Sequence, residues 1–361
     1  MKCGDRQNRY CSRSLKRFLS FSVIIAFASS FVGYAHAGQL KRPLSFQQVT
    51  QREGLSSDMV NAIAVQGDEV WFGTEGGGAT LYDRAKKTWK AYTTKGDPQE
   101  KDDGVSIRWK NILSHNHVSV ILPDEDRIWF GTYFYGFEGG GISYYQAHRT
   151  PVWKTFNTNN GQAKKIVSMA ADRDTLWIGS EKGLSLLDKK KEAWKGFLSA
   201  QSGLTGNFVN ALLLQPEYLW AGTNAGISRL QKTRKTWKRY TAKEGFPERE
   251  VKSLIKVGQK VWAGSADGFL FEYDPGLDRW KQLDSTDPLK NGGIYSMTAT
   301  KDWVFVCRDN GVSLCHLPAG QWESITVSDG LLSNTVFCAV EDRNGIWFGT
   351  DKGASRLVLS P

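Results

Sequence analysis

The stretch Val60-Asn61-Ala62-Ile63-Ala64-Val65-Gln66-Gly67-Asp68-Glu69-Val70-Trp71-Phe72-Gly73-Thr74 decides the fold. Two apolar, β-branched runs flank Gly67-Asp68, the pattern of two short strands joined by a hairpin turn. Its closing signature, Trp, then a small or apolar residue, then Gly, then Thr or Ser, returns along the chain. It stands at Trp129-Phe130-Gly131-Thr132, Trp177-Ile178-Gly179-Ser180, Trp220-Ala221-Gly222-Thr223, Trp262-Ala263-Gly264-Ser265 and Trp347-Phe348-Gly349-Thr350. Spacing places a degenerate seventh copy at Phe305-Val306-Cys307-Arg308, so that successive copies lie 42 to 58 residues apart. Self-similarity at such a period is the mark of a repeat architecture.

Outward from the signature, the copies keep agreeing. Eleven residues before it stands a β-branched residue every time, from Val60 and Val118 through Ile166, Val209 and Val251 to Ile294 and Val336. After it come a glycine-containing turn, a second apolar run and a second aromatic: Trp89, Trp153, Trp194, Trp237, Trp280 and Trp322. Twelve of the 14 tryptophans are thereby repeat positions, leaving only Trp109 and Trp303 outside the pattern. Each unit reads as four short strands, a to d, with the β-branched residue opening strand a and the Trp-x-Gly signature in strand b. The predicted fold is all-β, a seven-bladed β-propeller of four-stranded antiparallel blades. A solenoid has shorter repeats, and a sandwich has no reason to repeat.

The last unit runs out at 357–361, after strand c. At the other end, Phe46 in Ser45-Phe46-Gln47-Gln48-Val49 lies 25 residues before Trp71, the spacing that elsewhere separates a strand-d Trp from the next strand-b aromatic. The N-terminal strand is therefore expected to close the last blade, which also removes an exposed sheet edge. Blade six carries Phe305 for Trp and Cys307 for Gly, positions that face the same way along a strand. A smaller aromatic beside a larger neighbour roughly conserves volume, so Cys307 reads as a packing residue.

The pattern Gly54-Leu55-Ser56-Ser57-Asp58-x-Val60 followed by Trp71-Phe72-Gly73-Thr74 resembles the two-component regulator propeller repeat. So do Gly203-Leu204-Thr205-Gly206-Asn207-x-Val209 and Gly330-Leu331-Leu332-Ser333-Asn334-x-Val336 with their own Trp-x-Gly-Thr signatures. The resemblance covers essentially residues 44–361. It implies a propeller of the kind that serves as the extracytoplasmic sensor of membrane histidine kinases, frequently for carbohydrate signals. Here it is read as a stand-alone single propeller with no kinase output.

Before the propeller, basic residues including Arg13, Lys16 and Arg17 precede an uncharged run from Phe18 to Ala37 that ends Ala35-His36-Ala37. This reads as a signal peptide with a small-x-small cleavage site rather than a membrane anchor. The expected domains are 1–37, signal peptide, and 38–361, propeller, in a periplasmic or secreted protein. Half of the formal charge of +10 belongs to residues 1–37. The longest basic run, Lys189-Lys190-Lys191, is flanked by acids and reads as a solvated hairpin turn, so no nucleic-acid partner is expected. The mature chain has three cysteines, Cys307, Cys315 and Cys338, an odd number that leaves at least one thiol outside any internal pair. Cys307 and Cys315 flank a common turn, but only geometry decides whether they can be bridged.

Repeat positions are explained by packing, so function is sought where the period breaks. From Trp89 to Trp129 there are 40 positions against 24 to 26 elsewhere. The loop entering blade two, residues 93–117, is thus enlarged, and it contains Trp109, His115 and His117. From Trp129 to Trp153 there are 24 positions against 17 or 18 elsewhere, the addition being Tyr133-Phe134-Tyr135-Gly136-Phe137-Glu138-Gly139-Gly140. In an up-and-down blade the d-to-a and b-to-c loops emerge on one face, so both insertions are expected over one sector of one rim. Trp109, His115, His117, Tyr133, Phe134, Tyr135, Phe137 and Glu138 are the candidate ligand-binding residues. Aromatic faces beside polar groups suit sugar rings or an extended peptide; the alternative is that the insertions merely pack on each other. Two histidines without a further ligand make a weak metal motif, and no metal or other cofactor is expected. The acidic turns Asp124-Glu125-Asp126 and Glu341-Asp342-Arg343-Asn344 lack calcium-loop spacing and read as solvated.

The expected function is non-catalytic binding or sensing of a carbohydrate, a peptide or an envelope protein. No nucleophile elbow, zinc motif or paired-acid signature is present. The alternatives are a propeller lyase or hydrolase with its active site at the channel mouth, or an envelope assembly factor. Fold alone does not separate these.

Overall fold

The computed structural model describes residues 40, 43–94, 112–133, 140–147, 152–157, 165–283 and 286–359. They form seven four-stranded antiparallel sheets arranged as the blades of a propeller. Blade four shows the design: strand a is Val209–Leu214, b Tyr218–Thr223, c Gly226–Gln231 and d Thr236–Tyr240. Strand a of each blade packs against strand a of the next, and the ring closes between blades seven and one. Strand a is therefore innermost, beside the channel, and strand d lies outside.

Burial follows from this radial order. Strand b of blade four is buried at every residue after Tyr218, on both faces, because a neighbouring blade covers each face. Strand d is exposed at its outward positions. Seven hydrophobic clusters result, one in each gap between consecutive blades. The strand-b Trp points into the following gap: Trp220 meets Tyr273 and Trp280 of blade five at ring distances of 4.7 and 5.6 Å. The residue after it points the other way, so that Phe72 meets Trp347 of blade seven at 5.3 Å.

The glycine of the signature is a hole for the next blade. A Cβ on Gly73 would lie 2.6 Å from Val118 Cγ1, and one on Gly222 would lie 2.6 Å from Val251 Cγ1. This is why the β-branched residue and the glycine recur together. Between that residue and the small one two positions on, every strand a carries a β-bulge, as between Val60 and Ala62. The bulged residue is left out of the ladder on the innermost strand.

The last blade closes as expected: Ser45–Val49 pairs antiparallel with Gly353–Val358, in register Phe46↔Leu357. Phe46 also takes over the contact of a strand-d Trp. A Cβ on Gly54 would lie 2.5 Å from Trp89 Cγ, one on Gly203 2.6 Å from Trp237 Cβ, and one on Gly330 2.9 Å from Phe46 Cδ2. These glycines have φ of +133°, +119° and +112°, which L side chains rarely adopt, so the Gly-Leu start of the repeat is fixed twice over.

Two surface readings need correction. Lys189 is not solvated: its ammonium lies 2.8 Å from Asp124 of blade two and its side chain is only 7% exposed. Lys190, in contrast, is exposed. The acids ending strand a are not simply solvated either. Asp124, Asp172 and Asp342 accept the indole N–H of Trp129, Trp177 and Trp347 at 3.0, 3.2 and 2.9 Å. Asp342, fully buried, also binds Arg84 of blade one at 2.6 Å.

Blade six departs more than its Phe and Cys imply. Elsewhere the residue after the glycine is Thr or Ser, whose hydroxyl donates to a backbone carbonyl at the b-to-c turn, as Thr223 does to Gly226 at 3.1 Å. Here it is Arg308, wholly buried. Its guanidinium donates to Asp287 at 2.7 Å, to Ser313 Oγ at 2.9 Å and to the Gly292 carbonyl at 2.6 Å. Cys307 is buried as expected. Cys307, Cys315 and Cys338 are free thiols. Burial raises all three, Cys315 to about 11 and Cys338 to about 12.

Candidate functional site

The described ends of both blade-two insertions meet. His117 opens strand a (His117–Asp124) and Tyr133 ends strand b (Arg127–Tyr133), and the two are cross-strand partners. Their rings lie 5.4 Å apart, and His115 stacks on His117 at 4.9 Å with an interplanar angle of 13°. Trp109, Phe134, Tyr135, Phe137 and Glu138 lie outside the described residues, as do residues 1–37. The end of the long entry loop is anchored. Ile112 and Leu113 are buried in the gap between blades one and two. The Ser114 and Thr132 hydroxyls are 2.7 Å apart, and Thr94 N–H donates to Asn116 Oδ1 at 2.8 Å.

The residue that organises this sector is one the sequence reading passed over. Glu75 is the first residue after strand b of blade one, and its backbone N–H donates to the Met59 carbonyl at 2.9 Å. Its carboxylate faces blade two and lies 2.8 Å from His117 Nδ1. It accepts hydrogen bonds from the Tyr133 hydroxyl and, at 2.8 Å, from the amide of Asn61, the bulged residue of blade one. Burial pushes the Glu75 carboxyl up, but the hydrogen bonds from Tyr133 and Asn61 and the neighbouring His117 outweigh it and hold the group below its ordinary value. Burial, followed by the charge of His117, lowers His115 below its ordinary value and favours its neutral form. The only prior signal for Glu75 was its place directly after Trp71-Phe72-Gly73-Thr74, at a turn on the same face as the blade-two insertions.

The arrangement is a half-buried ionised carboxylate ringed by an amide, a phenol and two imidazoles. Such groups orient hydroxyls or amides of a ligand, while the rings offer apolar faces. Among the described residues no group of three His, Cys, Asp or Glu could hold a metal ion. No described helix is long and apolar enough to cross a membrane.

Residues 330–352 match the family model of the two component regulator propeller. No curated protein matches the sequence. Among solved structures, the extracellular domain of BT3049, named as a hybrid two component system of B. thetaiotaomicron, is similar with a TM-score of 0.68 and 19% identity, over 88% of this chain and 42% of that one. The extracellular domain of BT4673, likewise named as a hybrid two component system of B. thetaiotaomicron, gives 0.66 and 20%, over 87% of this chain and 40% of that one. The chain thus spans about two fifths of the length of these structures. YCF48 bound to D1 peptide is similar with a TM-score of 0.62 and 11% identity, over 89% of this chain and 99% of that one. At these identities the structural likeness speaks for the fold. The family match covers one repeat, residues 330–352, and the structural likeness shows a propeller fold, here of seven blades.

Proposed function

We propose that this protein is an exported, periplasmic or secreted, non-catalytic binding propeller of the sensor type, which takes a glycan over the rim of blades one and two. The observation that carries this reading is the cluster of Glu75, Asn61, His117 and Tyr133, assembled from two blades where the repeat spacing is stretched. A carboxylate and an amide that accept and donate to hydroxyls, beside aromatic rings, suit a sugar. The resemblance of the repeat to sensors of carbohydrate signals supports it. An extended peptide or an envelope protein is the second reading, supported by the peptide bound to YCF48.

The test is thermal unfolding of the protein with and without a panel of oligosaccharides and peptides. A ligand at one hundred times its dissociation constant adds about 2.7 kcal/mol of stability by mass action. A shift that disappears in Glu75→Gln and Tyr133→Ala supports the site, and the responding panel names the ligand class. A shift that both variants retain moves binding elsewhere, and no shift across the panel overturns the reading. Turnover of a bound glycan that His117→Ala abolishes would make the protein an enzyme instead, since the Glu75–His117 contact could orient an imidazole for proton transfer.

A further inference from the structure

A second site is carried by the bulged residues of strand a, which sit on the innermost strand at the channel mouth. Most are polar and already engaged. Asn61 donates to Glu75, Ser119 to the Gly131 carbonyl at 3.1 Å, and Asn210 and Lys252 both reach Glu250, at 3.3 and 2.6 Å. Blades six and seven differ: their bulged residues are Tyr295 and Phe337, with rings 5.2 Å apart at 69°. Tyr295 is 40% exposed although it belongs to the innermost strand. An edge-to-face pair of this kind leaves ring faces open.

Two carboxylates stand on turns beside these bulged residues, and the Asp309 backbone N–H donates to the Gly293 carbonyl at 3.2 Å, two residues before Tyr295. Asp309 and Asp351 open the b-to-c turns of blades six and seven, the positions that correspond to Glu75. The Tyr295 hydroxyl is pushed up by burial and then by the charges of both. At the corresponding turns of blades one and five the acids are matched, Glu75 by His117 and Asp267 by Arg249. Among the described residues neither Asp309 nor Asp351 forms an ion pair, the Arg308 guanidinium whose charge Asp309 feels is taken by Asp287, and Asp351 Oδ1 is buried without a hydrogen bond. Two such acids beside an aromatic wall repel each other and attract positive charge.

We propose that this sector of the channel mouth binds an organic cation, a primary ammonium or a guanidinium group, packed on Tyr295 and Phe337 and neutralised by Asp309 and Asp351. Two carboxylates are too few for an all-protein calcium site. A cation that carries alkyl carbons uses both the rings and the acids, through cation–π attraction and ion pairing. The site is independent of the glycan reading, because none of its residues belongs to the blade-one and blade-two cluster.

The experiment is calorimetric titration of the protein at low ionic strength with hexylamine, N-acetyl-lysine amide, N-acetyl-arginine amide and a lysine-containing tripeptide, with hexanol as the neutral counterpart. Saturable binding of the cations but not of hexanol is expected. Asp309→Asn with Asp351→Asn should weaken it at least about tenfold, and Tyr295→Leu should weaken it by a smaller factor. Glu75→Gln should leave it unchanged. Preference for the tripeptide identifies a peptide side chain as the source, and preference for hexylamine a free amine. The proposal is overturned if no cation binds saturably. It is equally overturned if the double Asn variant, folded by its unfolding midpoint, binds as the parent does. Should that variant not fold, undiminished binding by Tyr295→Leu overturns it.

Discussion

The Arg308 guanidinium and the Asp287 carboxylate meet at 2.7 Å with no solvent exposure of either side chain. Arg308 fills the place of a small hydroxyl residue, so one charge in the strand required a second in the loop leading into blade six. Burial lowers Arg308, and Asp287 opposes that. Removing either partner strands the other as a buried charge. Arg308→Ala or Asp287→Ala should each cost about 3–5 kcal/mol. The double change Arg308→Thr with Asp287→Ala, which restores the hydroxyl of the other blades, should cost less than either. Denaturant midpoints of the three variants check this, and additive losses would contradict it.

Close approach between blades is tested at Gly222. Its backbone is ordinary, so Gly222→Ala is limited chiefly by Val251, whose Cγ1 and Cβ its Cβ would meet at 2.6 and 3.0 Å. Overpacking of this kind should cost about 1–3 kcal/mol. Adding Val251→Ala removes the nearer contact, so the double variant should be more stable than the sum of the singles, with a coupling of at least about 0.5 kcal/mol. Chemical denaturation of the four-member cycle measures it.

Asp278 gives acid sensitivity to the gap between blades four and five. Burial pushes its carboxyl up, but hydrogen bonds from Lys238, Tyr273 and Tyr240 and the charge of Arg229 outweigh this and hold it at about 2. An unfolded Asp titrates near ~3.9. The folded value is the lower, so the contribution to stability is present above about pH 4 and is lost as pH falls toward 2. Solvent screens it, since the side chain is 42% exposed. The loss of stability between pH 4 and 2 should be shallower in Asp278→Asn, read from thermal midpoints across that range.

Thiol chemistry reports on the frame. Cys307 is wholly buried, and its thiol is raised by that burial, so it should not be alkylated in the native protein at pH 8. Its labelling rate should follow global unfolding, as denaturant-dependent iodoacetamide labelling with peptide mass analysis would show. Rapid labelling under native conditions would mean that blade six opens locally.

The candidate site was legible only in part. Stretched spacing around blade two pointed to His115, His117 and Tyr133, and the structure brings them together. Glu75 was not legible, because nothing in blade one is stretched and its role arises only when blade two is set beside it. Lys189 and Asp342 misled for a related reason: charges near hairpin turns look solvated until a neighbouring blade supplies a partner.

By itself the sequence determined the number of blades, their four-strand make-up and the closure by Phe46. These follow from a period repeated seven times, so each copy corroborates the others, and from strand patterns that are local. The tertiary structure alone decided what happens between copies. It set Val251 into the hollow at Gly222, matched Arg308 with Asp287, turned Glu75 toward His117, and left Tyr295 and Phe337 side by side, with two acids on the turns beside them. Such pairings depend on the angle between adjacent blades and on residues tens of positions apart, and no periodicity records them.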